Sequence, residues 1–213
     1  MQPLSYHVSG SRSDTEPNLL SFTLDTNCVI SLDEDRPAAP AIRRLAEAHV
    51  TGKADVAVVA IMASEKQRPK RYIEDFQVFE HRLQRLSIAH LRLLLPMSYF
   101  GVTFWGHGLW SYANMQALER NIHQILFPNV EFIWQDYCQS NELDPASSST
   151  ASPLGNKWRN AKCDVLAMWS HLHHGRDVFV TTDGNFHKTK KRALLALGAR
   201  RIECPEGAAV LLR

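Results

Sequence analysis

Four acids, Asp25, Glu65, Asp164 and Asp183, are the residues whose type and placement could do chemistry in this chain. Several carboxylates held together repel one another and take up protons unless a cation neutralises them. A convergent set of four therefore implies a hard, oxygen-preferring ion such as Mg²⁺ or Mn²⁺. Such an ion lowers the pKa of a bound water and polarises a phosphoryl oxygen, as hydrolysis of a phosphodiester requires. No Ser-His-Asp or Cys-His nucleophile competes, which leaves water activated by the ion. Each acid also has a plainer role open to it. Asp25 before Thr26 and Asn27 suits an N-cap or an Asx turn, Asp183-Gly184-Asn185 is a good turn sequence, and Glu65 and Asp164 suit the first turn of a helix. The four together favour the chemical role.

The elements that must position these acids can be read from hydrophobic spacing. Ser21-Phe22-Thr23-Leu24 is a short strand that stops abruptly at Asp25, and the apolar run Asp55 to Ala60 has the look of a strand covered on both faces, with Glu65 soon after it. A helix from Ala41 to His49 with Ile42, Leu45 and Ala46 on one face connects them and closes at Gly52. Near the C-terminus, a helix from Asp164 to His174 precedes the strand Asp177 to Thr182, which ends at Asp183. A helix of about 190–197 stopped by Gly198 and an edge strand over 200–204 follow. This is an α/β plan with a mostly parallel sheet, in which ligands bind beyond the carboxyl ends of the strands. Asp25 and Asp183 fall there by sequence alone.

Residues 1–20 read as a polar tail, and 21–213 as one domain carrying a helical insertion at about 66–155. Within the insertion, spacing predicts a long helix from Glu74 to Leu95 and a second from Tyr112 to Phe127, with Met115, Leu118, Ile122 and Ile125 inward. Pro145 to Pro153 has the composition of a flexible loop.

Net charge of +2 is too mild to identify a nucleic-acid partner, but the basic residues cluster beside the acids. Arg68, Lys70 and Arg71 follow Glu65, Lys157 and Arg159 precede Asp164, and Lys188, Lys190, Lys191 and Arg192 follow Asp183. Cations so placed can hold a phosphate backbone past a metal cluster, whereas a solvated face is the plainer reading. Trp158, Trp105, Tyr99 and Phe104 could stack on bases, with a core role the commoner fate of such residues. His171, His173, His174 and His187 lack a zinc-site pattern, and His171 and His174 suit a helix C-terminus. Cys28, Cys138, Cys163 and Cys204 lie far apart, as reduced structural thiols do. The first 20 residues lack an apolar signal core and no run approaches the roughly 18 apolar residues of a membrane span, so a cytoplasmic protein is expected.

Phe22-Thr23-Leu24-Asp25-Thr26-Asn27-Cys28-Val29-Ile30 resembles the opening strand of the PIN-domain nucleases, and Phe179-Val180-Thr181-Thr182-Asp183-Gly184-Asn185-Phe186 is similar to their last acidic strand end. Glu65, Asp164 in Asn160-Ala161-Lys162-Cys163-Asp164, and the tail Leu197 to Ile202 match in order and spacing. The resemblance covers roughly 21–65 and 156–213. It implies a PIN-like three-layer α/β fold and an endoribonuclease dependent on Mg²⁺ or Mn²⁺, acting on single-stranded or structured RNA, with DNA also open. Asp25, Glu65, Asp164 and Asp183 would be its metal and catalytic residues, with Asn27 and Thr182 supporting the site. Such proteins act as toxins or RNA-processing factors, so a homodimer or an antitoxin-type partner is also compatible. An insertion of about ninety residues after Glu65 departs from the compact toxin members.

Two other functions fit parts of the sequence. A haloacid-dehalogenase-like phosphatase also begins with an Asp at a strand end, but wants a second Asp where Asn27 stands. A non-catalytic PIN-like scaffold that binds RNA or protein would have no need of four unneutralised acids.

Overall fold

Four-residue apolar strands buried on both faces can only sit at the centre of a layered structure, and the first strand does so. In the computed structural model, which describes residues 19–65 and 72–212, β1 (Ser21–Leu24) is buried at every position. It pairs in parallel with β2 (Asp55–Val59) on one side and β4 (Val178–Val180) on the other. β3 (Arg92–Leu94) extends the sheet beyond β2, and β5 (Arg201–Glu203) extends it beyond β4, giving the order β3-β2-β1-β4-β5 with every pairing parallel. The fold is α/β, consistent with a three-layer PIN-like arrangement.

Eight α-helices flank this sheet among the described residues. α1 (Thr26–Asp33) starts directly from β1 and packs on α2 (Ala39–Val50), which in turn packs on α8 (Pro205–Val210). A second group joins α4 (Ala113–Leu126) to α6 (Asn156–His173) and α7 (Lys188–Leu197). α3 (Phe76–Arg85) and α5 (Trp134–Ser140) complete the set. Phe22, Leu24, Val58, Phe179, Val180, Trp158 and Trp169 are almost wholly buried, and each such large apolar side chain contributes roughly 1.5–3 kcal/mol by leaving water. The two tryptophans also satisfy their ring N–H groups, on the carbonyls of Glu131 (3.0 Å) and Met115 (3.1 Å).

The lower edge of the sheet is locked by charge. Arg176 is buried, pairs with the carboxylate of Asp55 and donates to the carbonyls of Phe22 (2.9 Å) and Asp55 (2.6 Å). Asp177 accepts from the amide (2.9 Å) and hydroxyl (2.5 Å) of Ser21. These contacts fix where β1, β2 and β4 begin, and so where their opposite ends discharge their acids.

Several sequence-based expectations need correction. The helix expected over Glu74 to Leu95 ends at Arg85, because Ser87 takes a left-handed turn (φ 58°) and its amide and that of Ile88 cap the last carbonyls. The chain then forms β3, so 66–155 is not a purely helical insertion: it supplies one strand of the central sheet and, through α4, the packing partner of α6. α6 begins eight residues before Asp164, which sits in mid-helix rather than in a first turn. α1, α5 and α8 have no counterpart among the elements expected from hydrophobic spacing. Within 145–153, Thr150 is tied to Gly101 and Arg159, an anchor that composition did not reveal. No described helix is long and apolar enough to cross a membrane. All four cysteines are free, with Cys28, Cys138 and Cys163 buried. Residues 1–18 of the tail expected over 1–20, together with Arg68, Lys70 and Arg71, lie outside the described residues.

Candidate acidic active site

β1 delivers the first acid. Its last residue is followed by Asp25, which caps the start of α1 in an extended conformation while its amide donates to the carbonyl of Val180 on β4 (2.9 Å). That bond keeps Asp25 within the sheet even though its carboxyl belongs to the site. Oδ2 accepts from the hydroxyl of Thr181 (2.7 Å) and, more distantly, from the amide of Asn27 (3.4 Å). Oδ1 is buried with no hydrogen-bond partner. Asp25 thus takes the N-cap position of α1, as one of its plainer roles expects, but its side chain makes no cap hydrogen bond there.

The other acids arrive from three different elements. β2 runs into a 3₁₀ turn, Ala60–Ser64, and Glu65 is the extended residue that ends it, its carboxylate accepting from the hydroxyl of Thr26. Asp164 projects from the middle of α6, too far from its first turn to serve as a cap. Asp183 follows β4 and opens a 3₁₀ turn, Gly184–Phe186, with its Oδ1 accepting from the amide of Asn185 (2.8 Å). The turn-forming role expected as an alternative for Asp183 is therefore real, and it leaves the second carboxylate oxygen uncommitted to that turn.

Electrostatics join the four. Burial pushes Asp25 up to about 6 from an ordinary 3.8, and the charge of Asp183 adds to this, against the bonds from Thr181, Thr26 and Asn27. Glu65 is only partly exposed and is pushed up to about 8 by burial and then by the charges of Asp25 and Asp183, opposed by Thr26 and Arg82. Asp164 is raised well above its usual range by burial, then by Glu65, Asp25 and Asp183, with Lys190 opposing. Asp25, Glu65 and Asp164 are thus each raised by the charge of at least one other acid of the set.

The donor chemistry fits a hard divalent ion. All the candidate ligands are oxygens, and one of them, Asp25 Oδ1, is buried with no protein hydrogen to accept. Among the described residues, no group of three or more His, Cys, Asp or Glu side chains is arranged so that it could hold a metal ion.

The supporting residues differ from those expected. Thr182 is exposed, and its neighbour Thr181, wholly buried, makes the bond to Asp25. The reason is register. Leu24 pairs with Val180, so the next residue along, Thr181, stands beside Asp25, and Thr182 lies one residue beyond. Thr26 as the anchor of Glu65 was also missed, although it lies within the Asp-Thr-Asn sequence itself. Asn27 is where it was expected, at long range.

The basic residues divide into two kinds. Lys157 and Lys188 are exposed and able to meet a phosphate. Arg159 is buried instead: its Nε donates to the carbonyl of Ser64 (2.8 Å), and Nη1 donates to the carbonyl of Gly101 (2.9 Å) and the hydroxyl of Thr150 (3.0 Å). It is a bracket, not a strand-binding cation. Lys190 donates to the carbonyl of Leu126 and to Oδ1 of Asn185 (2.5 Å), steadying the turn that holds Asp183. Lys191 turns away toward β5, where it meets the carbonyl of Ile202 and the carboxylate of Glu203.

The histidines do not converge. His171 is buried against Thr23 and Phe179, His173 stacks on Trp169, His174 meets the carbonyl of Leu95, and His187 meets that of Thr181. Of the aromatic residues considered for base stacking, Trp158 is core, Tyr99 and Phe104 pack against the core, and Trp105 is exposed. Set against known proteins, the chain matches no protein-family model, and no curated protein is significantly similar to it.

Proposed function

We propose that the chain is a PIN-like, divalent-metal-dependent endoribonuclease, with Asp25, Glu65, Asp164 and Asp183 as its active site. One observation carries this reading: the charges of Asp25, Glu65 and Asp183 raise the pKa of one or more of Asp25, Glu65 and Asp164, while Asp25 keeps a buried oxygen without a hydrogen-bond partner. A buried carboxylate oxygen with no hydrogen-bond partner, as Asp25 Oδ1 is, is costly unless a ligand satisfies it.

Asp25, Asp164 and Asp183 would hold Mg²⁺ or Mn²⁺, with Glu65 either completing the oxygen set or orienting the attacking water. Bound there, the ion supplies polarisation of the phosphoryl oxygen and a water of lowered pKa. The chain's own groups prepare the site. Thr181 and Asn27 orient Asp25, Thr26 holds Glu65, and the Asn185 amide, steadied by Lys190, holds Asp183. Exposed Lys157 and Lys188 would attract the phosphate backbone.

Labelled single-stranded RNA and DNA incubated with Mn²⁺, and in parallel with chelator, test the reading. Internal cuts in RNA that chelator abolishes are expected. Cleavage that survives chelator, or that persists at the wild-type rate in both Asp25→Asn and Asp183→Asn, overturns it.

A second reading has an observation of its own. The lack, among the described residues, of a three-ligand group ready to hold a metal favours a PIN-like scaffold that binds RNA or protein without cutting. Calorimetric titration with Mn²⁺ separates the two: measurable binding lost on Asp164→Asn supports the nuclease, and no heat supports the scaffold.

A further inference from the structure

Beyond β3, the chain makes a closed loop on the way to α4. Its neck is tied by the amide of Ser98 donating to the carbonyl of Leu109 and that of Leu109 donating to the carbonyl of Pro96, both at 2.8 Å. Inside the loop, Phe104 and His107 pack on Phe76 at the start of α3, which anchors the tip. Four rings of this segment are left out of the packing: Trp110 (79% exposed) and Tyr112 (72% exposed) just past the neck, and two within the loop itself. Phe100 is 92% exposed and Trp105 is 84% exposed. Gly101 (φ 73°) and Gly106 (φ 77°), each directly following one of them, take left-handed turns that a bulkier residue would resist.

The loop is coupled to the acid site through one side chain. The guanidinium of Arg159 grips the carbonyl of Gly101 and that of Ser64, so the residue after Phe100 and the residue before Glu65 share a single planar group. Arg159 lies on α6 five residues before Asp164, about 7.5 Å along the helix axis. The base of the loop is thus held beside the acids.

We propose that Phe100 and Trp105 form a stacking platform for unpaired bases of an RNA strand whose backbone passes the acid cluster; this rests on the nuclease reading and gives it a substrate class. The segment from Ser98 to Tyr112 carries no Asp, Glu, Lys or Arg, so it offers π faces and not charge. That suits bases, because stacking on an aromatic ring is indifferent to sequence and is closed to a base already stacked and paired within a duplex. The phosphates are served elsewhere, by exposed Lys157 two residues before the Arg159 bracket. Rings this exposed keep their faces open to a stacking partner.

The test is binding without cleavage, in chelator, by fluorescence anisotropy of a labelled single strand of about 12 nucleotides, its duplex, and an abasic strand with the same phosphates. The full-length protein should prefer the intact single strand over the other two by about tenfold or more. Phe100→Ala with Trp105→Ala should lower its affinity to the abasic level, while Phe100→Tyr with Trp105→Phe should keep it. Wild-type protein that does not distinguish intact from abasic strands, or an alanine variant that binds as wild type does, overturns the proposal. Cleavage with Mn²⁺ is measured alongside. Cutting without base-dependent binding rejects the platform and keeps the nuclease; base-dependent binding without cutting keeps the platform and rejects the nuclease.

Discussion

Thr181 donates a 2.7 Å hydrogen bond to Oδ2 of Asp25, across two strands whose residues are 156 apart in sequence. The bond favours the ionised carboxyl, because a hydroxyl donor stabilises negative charge, and so it opposes the burial that pushes Asp25 up to about 6.

Removing that donor should make Asp25 harder to ionise. Thr181→Val is expected to move its pKa further upward, so that protons compete better with a cation between pH 6 and 7 than at pH 8. Mn²⁺ affinity measured across that range should fall most at the acid end, and the matched Thr182→Val should behave as wild type. Equal losses at pH 6 and pH 8 would show that the threonine acts on packing instead.

Asp25→Asn should remove cleavage and yet stabilise the cation-free protein at high pH. A carboxyl whose folded pKa is raised is most favourable to the fold below its ordinary 3.8, and that contribution is lost as pH rises through about 6. At pH 8 the full cost is present, on the order of 1–3 kcal/mol. Thermal unfolding in chelator should therefore give a higher Tm for the variant at pH 8, with the difference closing toward pH 4. Added Mn²⁺ should raise the Tm of the wild type alone. Loss of cleavage should be about 100-fold or more, since the ion is expected to supply several kcal/mol to the transition state.

Lys162 and Glu119 form a buried ion pair at 2.6 Å between α6 and α4, with the ammonium also facing the rings of Tyr99, Phe132 and Trp158. Burial lowers the lysine's pKa and the glutamate opposes it. Glu119→Ala leaves that charge without its partner and should cost about 3–5 kcal/mol in urea unfolding. Glu119→Leu combined with Lys162→Met should recover most of this. A double variant no more stable than the single one would mean that the pair does more than neutralise charge.

His171 should make the protein acid-sensitive. It is wholly buried, its Nε2 has no hydrogen-bond partner, and burial followed by the charge of Arg176 depresses its pKa to about 3 from an ordinary 6.5. Below pH 6.5 the unfolded chain takes up a proton that the folded chain refuses until about pH 3, so this residue's contribution falls as pH falls across that window. The slope is about 1.4 kcal/mol per pH unit. Unfolding free energy measured from pH 7 to pH 4 should decline less steeply in His171→Gln than in wild type.

What was legible in the sequence was whatever depends on near neighbours. The apolar runs around Phe22 and Val58 announced strands, the acids at the ends of the first and fourth strands stood out against them, and the spacing of Met115, Ile122 and Ile125 gave α4 within a residue at each end. Less was available for β3, because a three-residue strand next to a helix has too little length to show a period, and a left-handed Ser87 is not written in propensities. α6 was started late because Trp158 and Lys162 are buried on a long helix enclosed on most sides, where amphipathic spacing fades.

By itself the sequence determined the α/β plan and the four acids with their order, since alternation and strand-end polarity are local properties of a chain. Tertiary structure alone decided which groups support them. Strand register chose Thr181 over Thr182 for Asp25, helix packing turned Arg159 inward to join Ser64 to Gly101, and the same packing left Phe100 and Trp105 in water. Register and packing compare residues 58 to 156 positions apart, and nothing in local composition records the outcome.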